Sequence, residues 1–219
     1  MIAPMSYIAD RRQEEKERRR NEIVDAAEAL YREVGWDEVT MDSVARNARL
    51  SRALVYVYFK DKRELHFAIV ERAMQVLRVR FEEASSRART GLEQIEAMGR
   101  AYMAYGLEYP HYFDACARLE LRAMGSPERD SHEAVALELG KRVHEVVVAA
   151  LLAGERDGTI RGDIGDPEVT SRVLWGFIHG LLQIALTKAQ PLAEVGISVT
   201  QLTQQAIDLI RYTLAGSKA

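Results

Sequence analysis

The chain has 219 residues, 47% of them hydrophobic and 29% charged, with a formal net charge of −3. These are ordinary values for a soluble globular protein with one large domain or two small ones, and the charge argues mildly against nucleic acid. The longest strongly apolar stretch, 173–186, is 14 residues and contains a His and a Gln, short of the roughly 20 a bilayer span needs, so a buried helix and no membrane are expected.

A single cysteine, Cys116, cannot form an internal disulfide and suits a reducing cytoplasm. No basic-then-apolar leader opens the chain, which argues against export. Charge distribution says more than the sum. Residues 43–63 hold six basic side chains against one acidic, and residues 11–20 hold six against three.

Pro and Gly are sparse and helical apolar spacing recurs throughout, so the chain is expected to be all-α, with about nine helices. Residues 1–10 read as a disordered tip. A first helix over 11–34 turns Ile23, Ala26, Ala27, Leu30 and Val34 inward, and Gly35 ends it in the usual place for a left-handed cap. Thr40 can cap a second helix whose inner face is Met41, Val44, Ala45 and Ala48. Ser51 can cap a third over 52–58. Asp61, with Glu64 three residues on, can cap a long fourth helix over 61–85 that turns Leu65, Ile69, Ala73, Leu77 and Phe81 inward. Further helices are expected at 92–109, 110–124, 128–157, 167–189 and 200–215, separated by Gly/Pro/Asp clusters.

Two short helices joined by a tight turn, the second ending in aromatics and lysines, suit a DNA groove. A short helix in the major groove reads bases with its N-terminal side chains. Arg52 suits a bidentate hydrogen bond to guanine, and Ala53 and Leu54 suit a thymine methyl. Ser51 and Thr40, at helix N-termini, suit phosphate. Tyr56, Tyr58, Lys60 and Lys62 add hydroxyls and charge; Tyr56 reads equally well as core. Arg18, Arg19 and Arg20 can lie along an adjacent backbone or minor groove, or form an ordinary solvated helix start.

The pattern Ile23-x-x-Ala26-Ala27-x-x-Leu30, Gly35-Trp36, Val39-Thr40-Met41-x-x-Val44-Ala45, Ser51-x-x-x-Val55-Tyr56-x-Tyr58-Phe59-Lys60-x-Lys62-x-x-Leu65 resembles the DNA-binding region of the tetracycline-repressor (TetR) family. The resemblance implies phosphate contacts at Thr40, Tyr56 and Lys62, and a homodimer joined through the last two helices. The family usually has glycine where this chain has Arg49. A positive φ there would cost a non-glycine residue on the order of 1 kcal/mol, unless Arg49 reaches a phosphate.

The chain therefore divides into a helix-turn-helix domain at 11–65 and a ligand-binding and dimerisation domain at 66–219, with 61–85 as a shared connecting helix. In the second half, glycines alternating with aromatics suit a cavity. Tyr102, Gly106, Tyr109, Phe113, Cys116, Glu120, Trp175, His179 and Gln183 are its candidate lining, though such stripes also form ordinary cores. Gly176 and Gly180, with Ile184, Leu202, Ala206, Leu209 and Thr213, suit a two-fold interface. The five histidines and Cys116 show no metal-ligand spacing, and neither metal nor cofactor is expected.

These features point to a DNA-binding transcriptional regulator. The leading reading is a repressor released from a near-palindromic operator by a small-molecule effector. A regulator without such a ligand stays open. An all-helical enzyme is disfavoured, because the sequence presents no carboxylate pair, nucleophile–base set or phosphate loop.

Overall fold

A computed structural model of the chain describes residues 4–120 and 131–217, with side chains over 9–119 and 131–217. Among the described residues there are ten helices: α1 (Pro4–Val34), α2 (Met41–Asn47), α3 (Arg52–Tyr58), α4 (Lys62–Ser86), α5 (Gly91–Glu108), α6 (Pro110–Glu120), α7 (His132–Asp157), α8 (Pro167–Thr187), α9 (Ala189–Glu194) and α10 (Val199–Leu214).

The first helix starts at Pro4, not at residue 11. Residues 4–20 contain no glycine and are rich in Glu, Lys, Arg and Gln, strong helix formers, with proline tolerated in the first turn. Ile23, Ala26 and Ala27 are buried as expected, but Val34 is exposed and Tyr31 is buried in its place. Thr40 caps α2 in a capping box with Ser43, Ser51 caps α3 and Asp61 caps α4.

The expected inner face of α4, from Leu65 to Phe81, is buried along its whole length. That helix packs on α1 at one end and on α5, α6 and α7 along the rest, so it belongs to both halves. The tenth helix, α9, was not expected. Pro191 reads as a break in sequence, yet it sits in the first turn of a six-residue helix, where its missing N–H costs no intrahelical hydrogen bond.

Another expectation fails at α8. The 173–186 stretch is not buried in the protomer: only 22% of the apolar window of α8 is covered. By length and composition alone α8 could cross a membrane. It packs instead on α5, α7 and α10. Its outer side exposes Val173, Phe177 and Ile184, and the neighbouring side of α10 exposes Leu209 and Tyr212.

Candidate nucleic-acid interface and the chamber behind it

The α2–α3 turn is where the chain departs from glycine, and its backbone is now defined. Arg49 has φ +56°, the one positive φ outside glycine among the described residues. The amide of Leu50 donates to the Ala45 carbonyl (2.9 Å) and that of Arg49 to Arg46 (3.1 Å). This is a Schellman closure with arginine in the glycine position. The turn keeps its usual geometry, and the exposed Arg49 side chain stands beside the head of α3.

Along α3, Val55 is fully buried against the core, while Arg52 and Ala53 are exposed and Leu54 is half-buried. The Arg52 guanidinium pairs with Asp42 of α2 (Nε–Oδ1 2.9 Å) and lies over the Tyr56 ring, 5.5 Å from its centroid. It is thus held outward. Tyr56 is exposed, and Tyr58 is half-buried against the core. Val57, which the sequence reading passed over, is 77% exposed on the same side as Ala53. Thr40, Ser51 and Lys60 are exposed.

Lys62 occupies a different position from a free phosphate ligand. Its ammonium donates to the carbonyls of Trp36 (2.6 Å) and Asp37 (3.1 Å) and lies 4.9 Å from the centroid of a Trp36 ring. Burial lowers its pKa. It ties α4 to the end of α1.

Arg18 and Arg19 are on the outer part of α1, paired with Glu15 and Glu22. Arg20 is a correction. It turns inward to Glu71 of α4 (2.8 Å) and His132 of α7 (3.1 Å), and lies over Phe59. Four- and seven-residue steps from Arg20 reach Val24 and Ala27, so it shares their buried stripe. Arg11, Arg12, Lys16 and Arg18 instead line a surface cleft beside Tyr58 together with Glu14 and Glu15, which leaves a modest positive excess past the C-terminal end of α3.

The second half contains a partly open chamber of about 350 Å³ lined by α4, α5, α6, α7, α8 and one residue of α10. Of the expected lining, Tyr102, Phe113, Cys116, Trp175 and His179 meet there. Gly106 does not: a Cβ on it would lie 2.1 Å from a Leu182 methyl, so this glycine permits the close approach of α5 and α8. Tyr109 stacks on Tyr112 (5.4 Å) under Arg80, and Gln183 is exposed. The Glu120 side chain and residues 121–130 lie outside the described residues. Residues on α7, among them Gly140, Val143 and His144, line the chamber but were missed, because their own helix reads as plain core.

Helix α6 serves two sites. Phe113, Cys116 and Leu119 face the chamber, while its other side grips the helix-turn-helix. The Tyr31 hydroxyl donates to Asp114 (2.6 Å), and Arg118 donates to Asp114 (2.8 Å) and to both carboxylate oxygens of Asp37 (3.0 and 3.1 Å). Tyr112 reaches Glu28 (3.1 Å), whose carboxyl is pushed up by burial despite Arg72 beside it. Asp37 also holds Lys62 through its carbonyl.

His111, in the same seam against Tyr31, has its pKa lowered to about 4 by burial, with Arg32 adding to the effect. Its unfolded value is about 6.5, so the unfolded chain binds a proton that the fold refuses. Its contribution is present above that value and is lost as pH falls toward about 4. Burial depresses His144 and His179 in the same direction. The melting temperature is expected to drop by several degrees from about pH 7 to about pH 5, at roughly 2–4 °C per kcal/mol for a chain this size. His111→Gln should flatten that slope; an unchanged slope would remove His111 as its source.

Of the dimer candidates, Gly176, Gly180, Ile184, Leu209 and Thr213 are exposed on α8 and α10, and Leu202 is half-buried. Ala206 is corrected: it is buried within the protomer, beside Ile207 and Ile210 on the inner face of α10.

Residues 23–69 match the family model described as bacterial regulatory proteins, tetR family. Residues 95–210, more than half of the chain, match the model described as the tetracyclin repressor-like C-terminal domain. The HTH-type transcriptional regulator HbdR of Aromatoleum sp. (strain CIB) is 32% identical over 90 residues, which span 41% of this chain and only 38% of that protein. Among solved structures, a Rhodococcus sp. RHA1 protein of unknown function is similar at TM-score 0.75 and 21% identity, over 90% of this chain and 95% of that one. The regulator FadR from Bacillus subtilis, in complex with stearoyl-CoA, is similar at TM-score 0.69 and 19% identity, over 88% and 97%.

Proposed function

Since the chain belongs to the TetR family of bacterial regulatory proteins, which are DNA-binding transcriptional regulators, we propose that it is a homodimeric repressor released from its operator by a small molecule. The observation that carries this reading is the double role of α6, which lines the chamber with Phe113 and Cys116 and holds the DNA-binding head with Asp114 and Arg118. The head is residues 11–65, the sensing and pairing half is 66–219, and α4 belongs to both.

In this reading Arg52 reads bases, with Ala53, Leu54 and Val57 against thymine methyls. Thr40, Arg49, Ser51, Tyr56, Tyr58, Lys60, Arg18 and Arg19 meet the backbone, joined by Arg12 and Lys16 from the N-terminal part of α1. Lys62 reaches phosphate with whatever donor capacity Trp36 and Asp37 leave it. One such helix reads too few base pairs alone, and a two-fold pair reads two half-sites. The uncovered stripes of α8 and α10 are the surface that pairs. The cytoplasm, where the DNA lies, is the compartment this implies.

Effector binding acts as a differential affinity for two arrangements of the heads. The α4 helix, shared by both halves, is one route for it, and α6 supplies a second and more direct connection. Arg118→Ala is expected to leave operator binding largely intact and to blunt release. Effectors of this kind typically change affinity by about 5–150-fold, and the variant should respond several-fold less. Operator affinity measured with and without the compound returned by a melting screen checks this; an undiminished response would remove the clamp from the coupling route.

The test of the whole reading is selection of duplexes from a random pool by the purified protein. The expected product is a near-palindrome bound by a dimer, with affinity falling steeply as salt rises. Binding that ignores sequence would overturn the regulator mechanism drawn here.

A further inference from the structure

Granting the ligand-responsive reading, the chamber's chemistry narrows what can occupy it. Among the described residues its lining contains no Asp, Glu, Lys or Arg. A carboxylate or phosphate brought inside would shed its water and meet no cation among these lining residues. The polar groups sit together instead. His144 Nδ1 shares a 2.9 Å hydrogen bond with the Ser171 hydroxyl, and His179 Nδ1 shares one of 2.8 Å with the Tyr102 hydroxyl.

The Trp175 ring lies between the two imidazoles, 5.9 Å from His144 and 5.1 Å from His179, and Phe113 continues the row 4.6 Å beyond His179. Burial holds both imidazoles below their ordinary pKa, so each is neutral near pH 7 and keeps one donor and one acceptor nitrogen. With Nδ1 engaged, Nε2 is the atom each ring has left for a ligand. The rest of the lining is mainly aliphatic, thioether and aromatic, as at Met74, Leu77, Met98 and Leu137. A volume of about 350 Å³ is at the small end of the roughly 300–1,000 Å³ range of small-molecule sites.

We propose that the effector is an uncharged, mainly apolar molecule whose single hydroxyl or carbonyl group hydrogen-bonds His144 or His179 beside Trp175. It enters with its apolar body against α4 and α7. Charged fatty acids and acyl thioesters of coenzyme A are the competing classes, since a similar fold holds stearoyl-CoA.

Three probes of equal chain length separate them: 1-decanol, decanoate and decanoyl-CoA, each titrated into the full chain near pH 8. Decanol should raise the melting temperature and change the Trp175 fluorescence, and the two anions should bind at least tenfold more weakly. His179→Phe keeps a flat ring in the row and removes its nitrogens, so it should weaken decanol several-fold. A Cβ on Gly140 meets nothing within 4 Å, so Gly140→Leu should fill the chamber and abolish the shift while circular dichroism stays unchanged. Equal or tighter binding of decanoate or decanoyl-CoA would overturn the uncharged class and leave the ligand-responsive reading standing. No shift from any probe, or a Gly140→Leu protein that still binds decanol normally, would overturn the proposed occupant of this chamber.

Discussion

A Gly180→Arg variant is expected to run as a monomer and to lose operator affinity by roughly a hundredfold or more, the range in which two linked binding events exceed one. In the protomer a Cβ at Gly180 or Gly176 meets no atom within 4 Å, so the side chain has room. Exchanging a mid-helix glycine also favours the helix by about 1 kcal/mol. Association is another matter. Gly180 falls within the exposed stripe of Val173, Phe177 and Ile184, and a guanidinium there would have to leave water against an apolar partner. Light scattering after size exclusion would report the mass, and anisotropy with the selected duplex would report the affinity. A variant that stays dimeric and binds normally would move the interface elsewhere.

The misreading of α8 has a plain cause. Apolar periodicity says that a helix face avoids water, and a face covered by a second chain has the same signature as one covered by the protomer. Val173 and Phe177 are therefore legible as hydrophobic, while their exposure on this chain is not. Ala206 fails in the reverse sense: a small residue on the last helix suits a crossing, and its crossing is internal. The head was far more legible. Caps at Thr40, Ser51 and Asp61 are local chemistry between residues three apart, and local chemistry is what a sequence displays. Arg49 was conspicuous for the same reason, since only a few residue types enter the left-handed region.

Long-range partners were not legible. Nothing beside Arg20 in the sequence announces Glu71, fifty-one residues away, or His132. Arg118 likewise meets Asp37 across eighty-one residues. The double role of α6 had no local signature, because an ion pair between the turn after α1 and the end of α6 leaves each element's own pattern unchanged. The chamber was legible in part. Aromatics on α5 and α8 suggested it, whereas Gly106 shows that a glycine next to aromatics can equally be filled by a neighbour's methyl groups.

Arg52→Ala is expected to weaken operator binding by about 2–6 kcal/mol, taking about 1–3 kcal/mol for each bidentate base contact and two copies per dimer. The arginine is preorganised for this contact. Asp42 holds the Arg52 Nε at 2.9 Å and the Tyr56 ring lies beneath the guanidinium, while the side chain stays 64% exposed. A fork already aimed at the groove loses little freedom when a guanine meets it. Random duplex should lose much less than operator, because only one charge per head has gone. Lys60→Ala, which removes charge and no base contact, should weaken both DNAs alike. Asp42→Ala should cost less than Arg52→Ala, and the two should combine non-additively, since the carboxylate acts through the arginine. The measurement is a double-mutant cycle on selected and random duplexes at one fixed salt concentration. Equal losses on both duplexes from Arg52→Ala would show that this arginine meets only phosphate, and base reading would pass to Ala53, Leu54 and Val57.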